Sequence, residues 1–314
     1  MKLKKPKFWD NPSPNFLAFL LLPLSFLFKV INLVKKKNKI KKKNIFTICI
    51  GNIYLGGTGK TSLALAIKKI LEDEGKKVCF IKKYHKDQTD EQKLLSQNGK
   101  TFVREKRLFA LEDAISENFE IAIFDDGLQD STISYDISLV CFNKMNWVGN
   151  GLMIPAGPLR EDFKSIRNYE NFLLNGNNEN LDNIKNKIKK INPNCRIFES
   201  EYFPTNLDKF DKNEKYIAFS GIGNHKTFIN MLKIYNLHIL KDIEFPDHYN
   251  YTNEDIKKIL LDAEKENAKI ITTEKDFLRI NKDQNNKIQF IQAELKIKNL
   301  SEFKKIILNK NENN

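Results

Sequence analysis

Cysteine and histidine are scarce in this sequence, which has four of each among its 314 residues. The cysteines form no CxxC pair and have no histidine nearby at metal-ligand spacing, which argues against a zinc ribbon and a disulfide-stapled scaffold. Cys49, Cys79 and Cys141 lie in short apolar runs, so we expect them to be small buried hydrophobic side chains. With 41% apolar and 30% charged residues, the composition excludes a collagen-like, mucin-like or fully disordered chain.

Acidic residues are nearly absent from the first 44 positions, where twelve lysines accompany a single acid, Asp10. This segment therefore carries a charge of +11 out of the net +13, and the rest of the chain is nearly neutral. A nucleic-acid-binding protein usually spreads its basic residues over a folded face. Here the lysines flank an apolar stretch instead, so we expect no nucleic-acid partner and an anionic membrane surface as the partner of this segment.

The apolar stretch 16–28 is short for a membrane span. A helix of this length rises about 20 Å, whereas the hydrocarbon core is about 30 Å thick. Extension of the stretch to Val34 would reach spanning length, but the longer stretch includes Lys29 and Asn32. No small-residue cleavage site follows, which argues against a signal peptide. We therefore expect residues 1–36 to be a membrane-associated segment with its helix in the cytoplasmic leaflet. A tilted span and a buried core helix remain as alternatives.

Apolar, β-branched runs alternate with helical segments after this region. Strands are expected at 45–50, 77–82, 121–124, 137–142, 216–219 and 269–272. Helices are expected at 60–74, 108–118, 226–235 and 253–266. Residues 83–100 are polar and predicted to be irregular. The alternation predicts an α/β fold with parallel sheets and helices on their faces. We expect a P-loop NTPase-type lobe over 37–204 and a second, smaller α/β lobe over 205–314.

A glycine-rich loop lies between the first predicted strand and the first predicted helix. It consists of Gly56, Gly57, Thr58, Gly59, Lys60 and Thr61. Backbone N–H groups of such a loop, with the helix N-terminus, bind phosphate; Lys60 would reach the β- and γ-phosphates and Thr61 would bind Mg²⁺. The strict GxxxxGK[ST] pattern has glycine where this chain has Tyr54. The strand–loop–helix context still favours nucleotide binding over a purely structural glycine turn.

Two aspartates, Asp125 and Asp126, directly follow the apolar strand 121–124. In P-loop folds the carboxyl end of a strand beside the phosphate loop is the place of the metal-side aspartate. Two aspartates after a strand would by themselves more often cap a turn. With the glycine-rich loop upstream, we favour a Mg²⁺ site.

Six motifs in order then resemble the tetraacyldisaccharide 4′-kinases, the lipid A kinases of Gram-negative bacteria, over nearly the whole chain. The motifs are Gly51-Asn52 with GGTGKT, Asp125-Asp126-Gly127-Leu128-Gln129, Pro155-Ala-Gly157-Pro158-Leu159-Arg160-Glu161, Phe219-Ser-Gly-Ile-Gly-Asn224, Phe245-Pro-Asp247-His248 and Thr273-Glu274-Lys275-Asp276. The resemblance implies ATP-dependent phosphorylation of the 4′-hydroxyl of a tetraacyldisaccharide 1-phosphate, giving lipid IVA. It also implies work on an acylated lipid substrate at the cytoplasmic face of the bacterial inner membrane.

The same resemblance implies roles for individual residues. Lys60 would neutralise phosphate charge, and Arg160 would contact phosphate. Asp90 would help to deprotonate the sugar hydroxyl and His248 would pair with it, so the catalytic set is Lys60, Asp90 and His248. The residues that would hold Mg²⁺, directly or through water, are Thr61, Asp125, Asp126 and Glu161. Without the resemblance, Asp90 and His248 are typical of solvated loop residues.

Three positions depart from the family pattern. Lys82-Lys83-Tyr84-His85-Lys86 occupies the place of Ser-Arg-Gly-Tyr-Gly, and the segment from there to Asp90 is short. Asp130 stands where the family has histidine, and Ser62 where it commonly has proline. We interpret lysines 82, 83 and 86 as a replacement for lost arginine charge toward the phosphate of the acceptor, as point charges without a bidentate fork.

Two other functions are compatible with a phosphate loop. A P-loop kinase or ligase for a soluble metabolite would have no use for the lysine-flanked apolar segment. A membrane-tethered nucleotide switch would read guanine through an [NT]KxD loop, and the segment 273–276 (TEKD) is out of that register by one residue. We therefore favour the lipid kinase.

Overall fold

The computed structural model describes residues 5–34, 39–41, 44–86, 89–175, 180–281 and 286–309. The chain divides into two compact units. The larger unit contains Lys5–His85, Leu95–Glu201 and the segment from Ile297, and the smaller contains Lys86–Leu94 and Tyr202–Lys296. The expectations for residues 1–4, 35–38 and 310–314 fall outside the described residues.

Strands and helices alternate along the described part of the chain. The strands are β1 (Phe46–Gly51), β2 (Val78–Lys83), β3 (Thr101–Arg104), β4 (Ile121–Asp125), β5 (Ile137–Asn143), β6 (Asn171–Asn175), β7 (Arg196–Pro204), β8 (Lys215–Ser220), β9 (His238–Glu244), β10 (Lys269–Thr273), β11 (Ile288–Ile291) and β12 (Ala293–Ile297). The α-helices are α1 (Phe16–Leu20), α2 (Leu22–Val34), α3 (Lys60–Asp73), α4 (Thr89–Asn98), α5 (Arg107–Ser116), α6 (Asp182–Ile191), α7 (His225–Ile234), α8 (Asn253–Lys265), α9 (Glu274–Phe277) and α10 (Leu300–Asn309).

The larger unit is built on a parallel sheet. Seven strands of its eight-stranded sheet lie side by side in the order β7-β6-β5-β1-β4-β2-β3, and each of these neighbouring pairs is parallel. The central strands β1 and β4 are buried along their whole length, as expected of strands covered by helices on both faces. The continuous apolar runs seen in the sequence are the cause of this burial, and the four strands predicted in this region are confirmed.

The prediction of an irregular segment over 83–100 is wrong for residues 89–98, which form helix α4. Its sequence, TDEQKLLSQN, contains only two buried apolar residues, Leu94 and Leu95, which is too little periodicity to indicate a helix. Strands β6 and β7 were also not predicted. The core of β6 is three apolar residues between two asparagines, and such a short run does not distinguish a strand from a loop.

The N-terminal apolar stretch forms two consecutive helices, α1 and α2, rather than one. The side chain of Asn15 caps α1 by accepting a hydrogen bond from the backbone N–H of Ala18 (3.0 Å). Ala18 and Ser25 are buried, whereas ten large apolar residues between Phe16 and Ile31 are exposed, which rules out the alternative of a buried core helix. None of the helices in the described ranges combines the length and apolar character that a membrane crossing requires.

The smaller unit has a four-stranded parallel sheet in the order β11-β10-β8-β9. One apolar cluster packs α7 against this sheet and another packs α8 against it. Helix α8 begins with a capping box, in which Thr252 and Asp255 each accept a hydrogen bond from the backbone N–H of the other. The predicted α/β character of this region is therefore confirmed. Cys49, Cys79 and Cys141 are buried, as expected, and Cys195 is buried as well.

Replacement of Phe124 by alanine tests the core of the larger unit. Phe124 is fully buried on β4 and makes an edge-to-face contact with Tyr135 at 4.9 Å between ring centroids. We expect Phe124→Ala to lower the free energy of unfolding by about 3–5 kcal/mol, because it removes buried apolar surface and leaves a cavity. Chemical denaturation measures the loss. Phe109→Ala, on the exposed face of α5, is the control and should change stability by about 0.5 kcal/mol or less; equal losses would contradict the core assignment.

Candidate active site

The glycine-rich loop connects β1 to α3 and is held by a side chain that precedes it. The Asn52 amide donates hydrogen bonds to the carbonyl of Gly56 (3.2 Å) and to the hydroxyl of Thr58 (2.9 Å). Gly56 (φ 138°) and Gly59 (φ 88°) have positive φ, which an L side chain adopts only with strain. The backbone conformation of the loop therefore requires glycine at positions 56 and 59.

Tyr54, which replaces the first glycine of the strict motif, is packed inside the larger unit. Its hydroxyl donates a hydrogen bond to Asp10 (2.8 Å) and accepts one from Lys5 (2.5 Å). The ring itself is fully buried. This departure from the motif thus fastens the start of the phosphate loop to the N-terminal segment.

Helix α3 begins at Lys60, so its first N–H groups and the positive end of its dipole lie at the end of the loop. The ammonium of Lys60 is 3.7 Å from a carboxylate oxygen of Asp126. The hydroxyl of Thr61 donates to Asp125 Oδ2 (3.2 Å). The structure thus brings together the loop and the two aspartates that the sequence predicted separately.

The two aspartates have different surroundings. Asp125, the last residue of β4, is fully buried, and its Oδ1 atom has no hydrogen-bond partner. Asp126 has positive φ (61°) and its carboxylate accepts two hydrogen bonds from Arg160 (2.9 and 3.1 Å). Burial alone would raise the pKa of Asp126, but the positive charges of Lys60 and Arg160 outweigh it and hold that pKa below its ordinary value.

Glu161 is joined to the aspartates indirectly. It accepts hydrogen bonds from Gln129 (2.9 Å) and from the hydroxyl of Tyr169 (3.0 Å). Gln129 in turn accepts a hydrogen bond from Arg160 (3.1 Å), the residue that holds Asp126. The motifs at 125–129 and 155–161 are therefore interlocked through their side chains.

The residues beside the loop fit a magnesium ion that is bound together with a nucleotide. Among the described residues, no group of three or more histidine, cysteine or acidic side chains is arranged to hold a metal ion alone. Mg²⁺ in nucleotide sites typically uses one or two carboxylates and completes its octahedron with phosphate oxygens and water. The unpartnered Oδ1 of Asp125 and the adjacent Thr61 hydroxyl are oxygen ligands of this kind.

Lys82 is a charged residue of this site that the sequence interpretation misplaced. We interpreted it as a contact for the phosphate of the acceptor, but its side chain is only 1% exposed and its ammonium lies 2.7 Å from Asp125 Oδ2. The local sequence gave no sign of this contact, because it arises from the sheet order, in which Lys82 on β2 is the register partner of Asp125 on β4.

Asp90 and His248 are in contact within the smaller unit. His248 Nδ1 is 3.0 and 3.2 Å from the two carboxylate oxygens of Asp90. His248 has positive φ (55°), and its backbone N–H donates to the carbonyl of Gly221 (2.9 Å). The two residues are 158 positions apart, so their local sequences gave no sign of this contact.

Arg279, which the sequence analysis missed, is buried behind this pair. Its guanidinium bonds Asp90 Oδ2 (2.8 Å), Asp276 Oδ1 (2.9 Å) and the carbonyl of Gly221 (2.8 Å). Gly221 is also the residue that fixes the backbone of His248. Arg279 therefore holds the carboxylate of Asp90 and the backbone contact of His248 at once.

Asp276, the last residue of the TEKD motif, serves the internal structure of this unit. In addition to the bond from Arg279, Asp276 accepts hydrogen bonds from the hydroxyls of Tyr251 (2.7 Å) and Thr273 (2.6 Å) and from the backbone N–H of Gly221 (2.9 Å). It is also fully buried. A base-reading aspartate must offer its oxygens to the nucleobase, so this arrangement disfavours a guanine-binding loop.

The electrostatics of the Asp90–His248 pair are those of a charged pair. Burial alone would raise the pKa of Asp90, but the hydrogen bond from His248 and the charge of Arg279 outweigh it and keep that pKa well below its ordinary value. Burial would lower the pKa of His248, but the hydrogen bond to Asp90 and the charge of Asp247 raise it above its ordinary value. Asp90 is therefore ionised at neutral pH and stabilises a proton on His248.

A glycine-rich phosphate loop between a buried parallel strand and a helix, with an acidic pair at the end of the neighbouring strand, defines a nucleotide-binding α/β protein of the P-loop type. The family model of the tetraacyldisaccharide-1-P 4′-kinases, LpxK, matches residues 17–312, and the chain belongs to this family.

Individual relatives agree with that membership. The chain is 54% identical over 314 residues to the tetraacyldisaccharide 4′-kinase of Pelagibacter ubique, with all of both chains covered. It is 33% identical over 323 residues to that of Rickettsia akari, with 95% of each covered. The crystal structure of LpxK from Aquifex aeolicus in complex with ATP matches with a TM-score of 0.68, covering 94% of this chain and 99% of that one. At 23% identity this last match shows a shared fold.

The protonation of His248 provides a direct test of the pair. We expect its titration midpoint, followed by NMR of the imidazole, to lie above the ordinary value of about 6.5 and to fall in Asp90→Asn, because that variant loses the charge and hydrogen bond that favour the protonated ring. Since the folded-state pKa is raised, the stability that the proton contributes is fully present below the unfolded value and is lost as the pH rises through the folded value.

Asp242→Asn is the control, because Asp242 contacts His225 (3.1 Å) and not His248. It should leave the midpoint of His248 unchanged. A midpoint of His248 that does not respond to Asp90→Asn would contradict the charged pair.

Proposed function

We propose that this chain transfers the γ-phosphoryl group of ATP to the 4′-hydroxyl of a tetraacyldisaccharide 1-phosphate and so produces lipid IVA. Membership of the kinase family over residues 17–312 supports the reaction. The structural observation that carries the proposal is the Thr61–Asp125 contact beside the glycine-rich loop, since it joins phosphate-binding and metal-binding groups in one place. A kinase needs both, because phosphoryl transfer is catalysed chiefly by positioning and charge stabilisation.

The phosphate side of the reaction is assigned to the larger unit. The loop N–H groups, the N-terminus of α3 and Lys60 would bind and neutralise the ATP phosphates. Thr61 and Asp125 would hold Mg²⁺ together with the nucleotide, with Asp126 and Glu161 contributing through water. When bound, the ion supplies positive charge to the β- and γ-phosphate oxygens. Arg160 keeps Asp126 in place through its paired hydrogen bonds.

The acceptor side of the reaction is assigned to Asp90 and His248. As the 4′-oxygen forms its bond to the γ-phosphorus and the bond to the bridging oxygen of ADP breaks, the hydroxyl proton passes to this carboxylate–imidazole pair and later to solvent. The hydrogen bond from His248 and the charge of Arg279 keep the pKa of Asp90 low, so the carboxylate is ionised before the hydroxyl arrives. Positioned acid–base groups of this kind typically contribute 10²- to 10⁴-fold in rate.

The N-terminal helices are proposed to bind the cytoplasmic face of the inner membrane, where an acylated acceptor would be found. Large apolar side chains on α1 and α2 are exposed, and they are Phe16, Leu17, Phe19, Leu20, Leu22, Leu24, Phe26, Leu27, Val30 and Ile31. Two successive helices with so many exposed large apolar side chains favour an interaction site. The lysines that flank it in the sequence favour an anionic bilayer, at about 1 kcal/mol each near the headgroups.

A phosphoryl-transfer assay tests the proposed reaction. The full chain in detergent micelles receives radiolabelled ATP, Mg²⁺ and tetraacyldisaccharide 1-phosphate, and we expect a labelled bisphosphorylated lipid. Lys60→Ala should abolish the product and weaken ATP binding, because it removes the charge that neutralises the phosphates. Asp90→Ala should lower turnover about 100-fold or more while ATP binding is kept, because it removes the proton acceptor and leaves the glycine-rich loop unchanged.

Lys69→Ala is the matched control, because Lys69 is an exposed lysine on the same helix as Lys60. This variant should retain both ATP binding and lipid phosphorylation. ATP binding without any lipid product in the unsubstituted chain would reject the proposed acceptor. Normal turnover in Asp90→Ala would reject the role of the Asp90–His248 pair.

Sedimentation with lipid vesicles tests the membrane proposal. We expect the full chain to bind vesicles that contain anionic phosphatidylglycerol and to bind them less at high salt. Leu20→Glu should weaken binding about tenfold or more, because burial of a leucine in an apolar phase is worth about 1.5–3 kcal/mol. Leu261→Glu, at a similarly exposed leucine on α8, should leave binding unchanged. Equal loss in both variants would mean that α1 and α2 make no specific contact with the bilayer.

A further inference from the structure

Strand β2 ends with two lysines in different environments. Successive side chains of a strand point to opposite faces of the sheet, so Lys82 and Lys83 face opposite ways. Lys82 is 1% exposed, whereas Lys83 is only partly buried. A lysine is almost never fully buried unless a carboxylate pairs with it. The partner of Lys82 is Asp125, a residue of the phosphate site.

The two oxygens of Asp125 are used unequally. Oδ2 accepts hydrogen bonds from the Lys82 ammonium (2.7 Å) and from the Thr61 hydroxyl (3.2 Å), whereas Oδ1 is buried without a partner. An incoming cation would therefore find an available oxygen on Asp125. It would also find a fixed positive charge on the opposite oxygen of the same carboxylate.

A buried ion pair needs a reason other than stability, since the cost of removing both charges from water largely offsets their attraction. At this position the consequence is electrostatic. The Lys82 ammonium already neutralises Asp125, and two cations that share one carboxylate in a poorly solvated site repel each other. Nucleotide phosphates bring several negative charges and would offset this repulsion.

We propose that Lys82 is a competing internal cation of the metal site: it opposes divalent cations at Asp125, so that they bind weakly to the empty enzyme and enter with the nucleotide. This role rests on the proposed function for the identity of the site. It differs from the role of Lys60, which is directed at the phosphates. Because Lys82 acts on the metal through Asp125, it is a positioning residue.

The test is Mn²⁺ binding to the nucleotide-free full chain in detergent, followed by the electron paramagnetic resonance signal of free Mn²⁺. Lys82→Gln is the main variant, because glutamine removes the charge but keeps a hydrogen-bond donor for Asp125. We expect its Kd for Mn²⁺ to be about tenfold lower than that of the unsubstituted chain, since a like charge next to the ion is removed. Lys82→Arg, which keeps the charge, should bind Mn²⁺ as the unsubstituted chain does.

Lys83→Gln is the matched control, because it removes the same charge one residue along the strand on the opposite face. It should leave the Kd for Mn²⁺ unchanged. A Kd in Lys82→Gln that is equal to or higher than that of the unsubstituted chain overturns the proposal, as does a fall of equal size in Lys83→Gln. Absence of detectable binding in both the unsubstituted chain and Lys82→Gln also overturns it.

Circular dichroism first establishes that each variant is folded, and Lys82→Met replaces Lys82→Gln if the latter is not. The Mn²⁺ titration uses neither ATP nor the lipid acceptor, so its result is independent of phosphoryl transfer. If the unsubstituted chain fails the lipid kinase assay but Lys82→Gln binds Mn²⁺ more tightly, the proposed acceptor is rejected and the role of Lys82 is retained. Lipid kinase activity with an unchanged Mn²⁺ affinity would reject only Lys82.

Discussion

The arrangement of the larger unit depends on the parallel pairing of β1 with β4. Parallel neighbours end at the same edge of a sheet, so the loop that leaves β1 and the aspartates that end β4 meet there. The two aspartates concentrate negative charge at this edge, and cations from different elements compensate it. Lys82 on β2 pairs with Asp125, and Lys60 and Arg160 pair with Asp126. A phosphate site formed in this way is polarised before any nucleotide is present, which reduces the reorganisation that binding and transfer require.

In the smaller unit, a single arginine compensates the negative charge of two buried carboxylates. Asp90 and Asp276 are both buried, and Arg279 lies between them with bonds to each. Asp276 is fully occupied by internal donors, whereas Asp90 also contacts His248. The same guanidinium thus supports one structural carboxylate and one that is suited to proton transfer. Truncation of Arg279 would leave both buried carboxylates without their shared cation.

Local sequence was sufficient for features whose cause is local. Backbone conformation and strand burial depend mainly on neighbouring residues. For this reason the sequence predicted the glycine-rich loop, the buried strands β1 and β4 and the acidic pair. Arg279 and Lys82 could not be predicted, since their partners lie 189 and 43 positions away and their own surroundings resemble any polar segment. Asp90 and His248 were predicted only through the resemblance to a family. Helix α4 was missed because its polar sequence carries little periodicity, although it is the element that places Asp90.

Helix α2 contacts the segment of chain that carries Arg160 and Glu161 of the phosphate site. Ser25 of α2 donates to the carbonyl of Met153 (2.8 Å) and accepts from the N–H of Ala156 (3.0 Å). Further along α2, Lys29 pairs with Asp162 (2.6 Å), directly after the Arg160-Glu161 motif. The face of α2 that points away from the exposed apolar residues therefore rests on the segment that carries Arg160, and Arg160 holds Asp126. Side-chain contacts thus connect α2, through residues 153–162, with the carboxylate of Asp126 at the phosphate site.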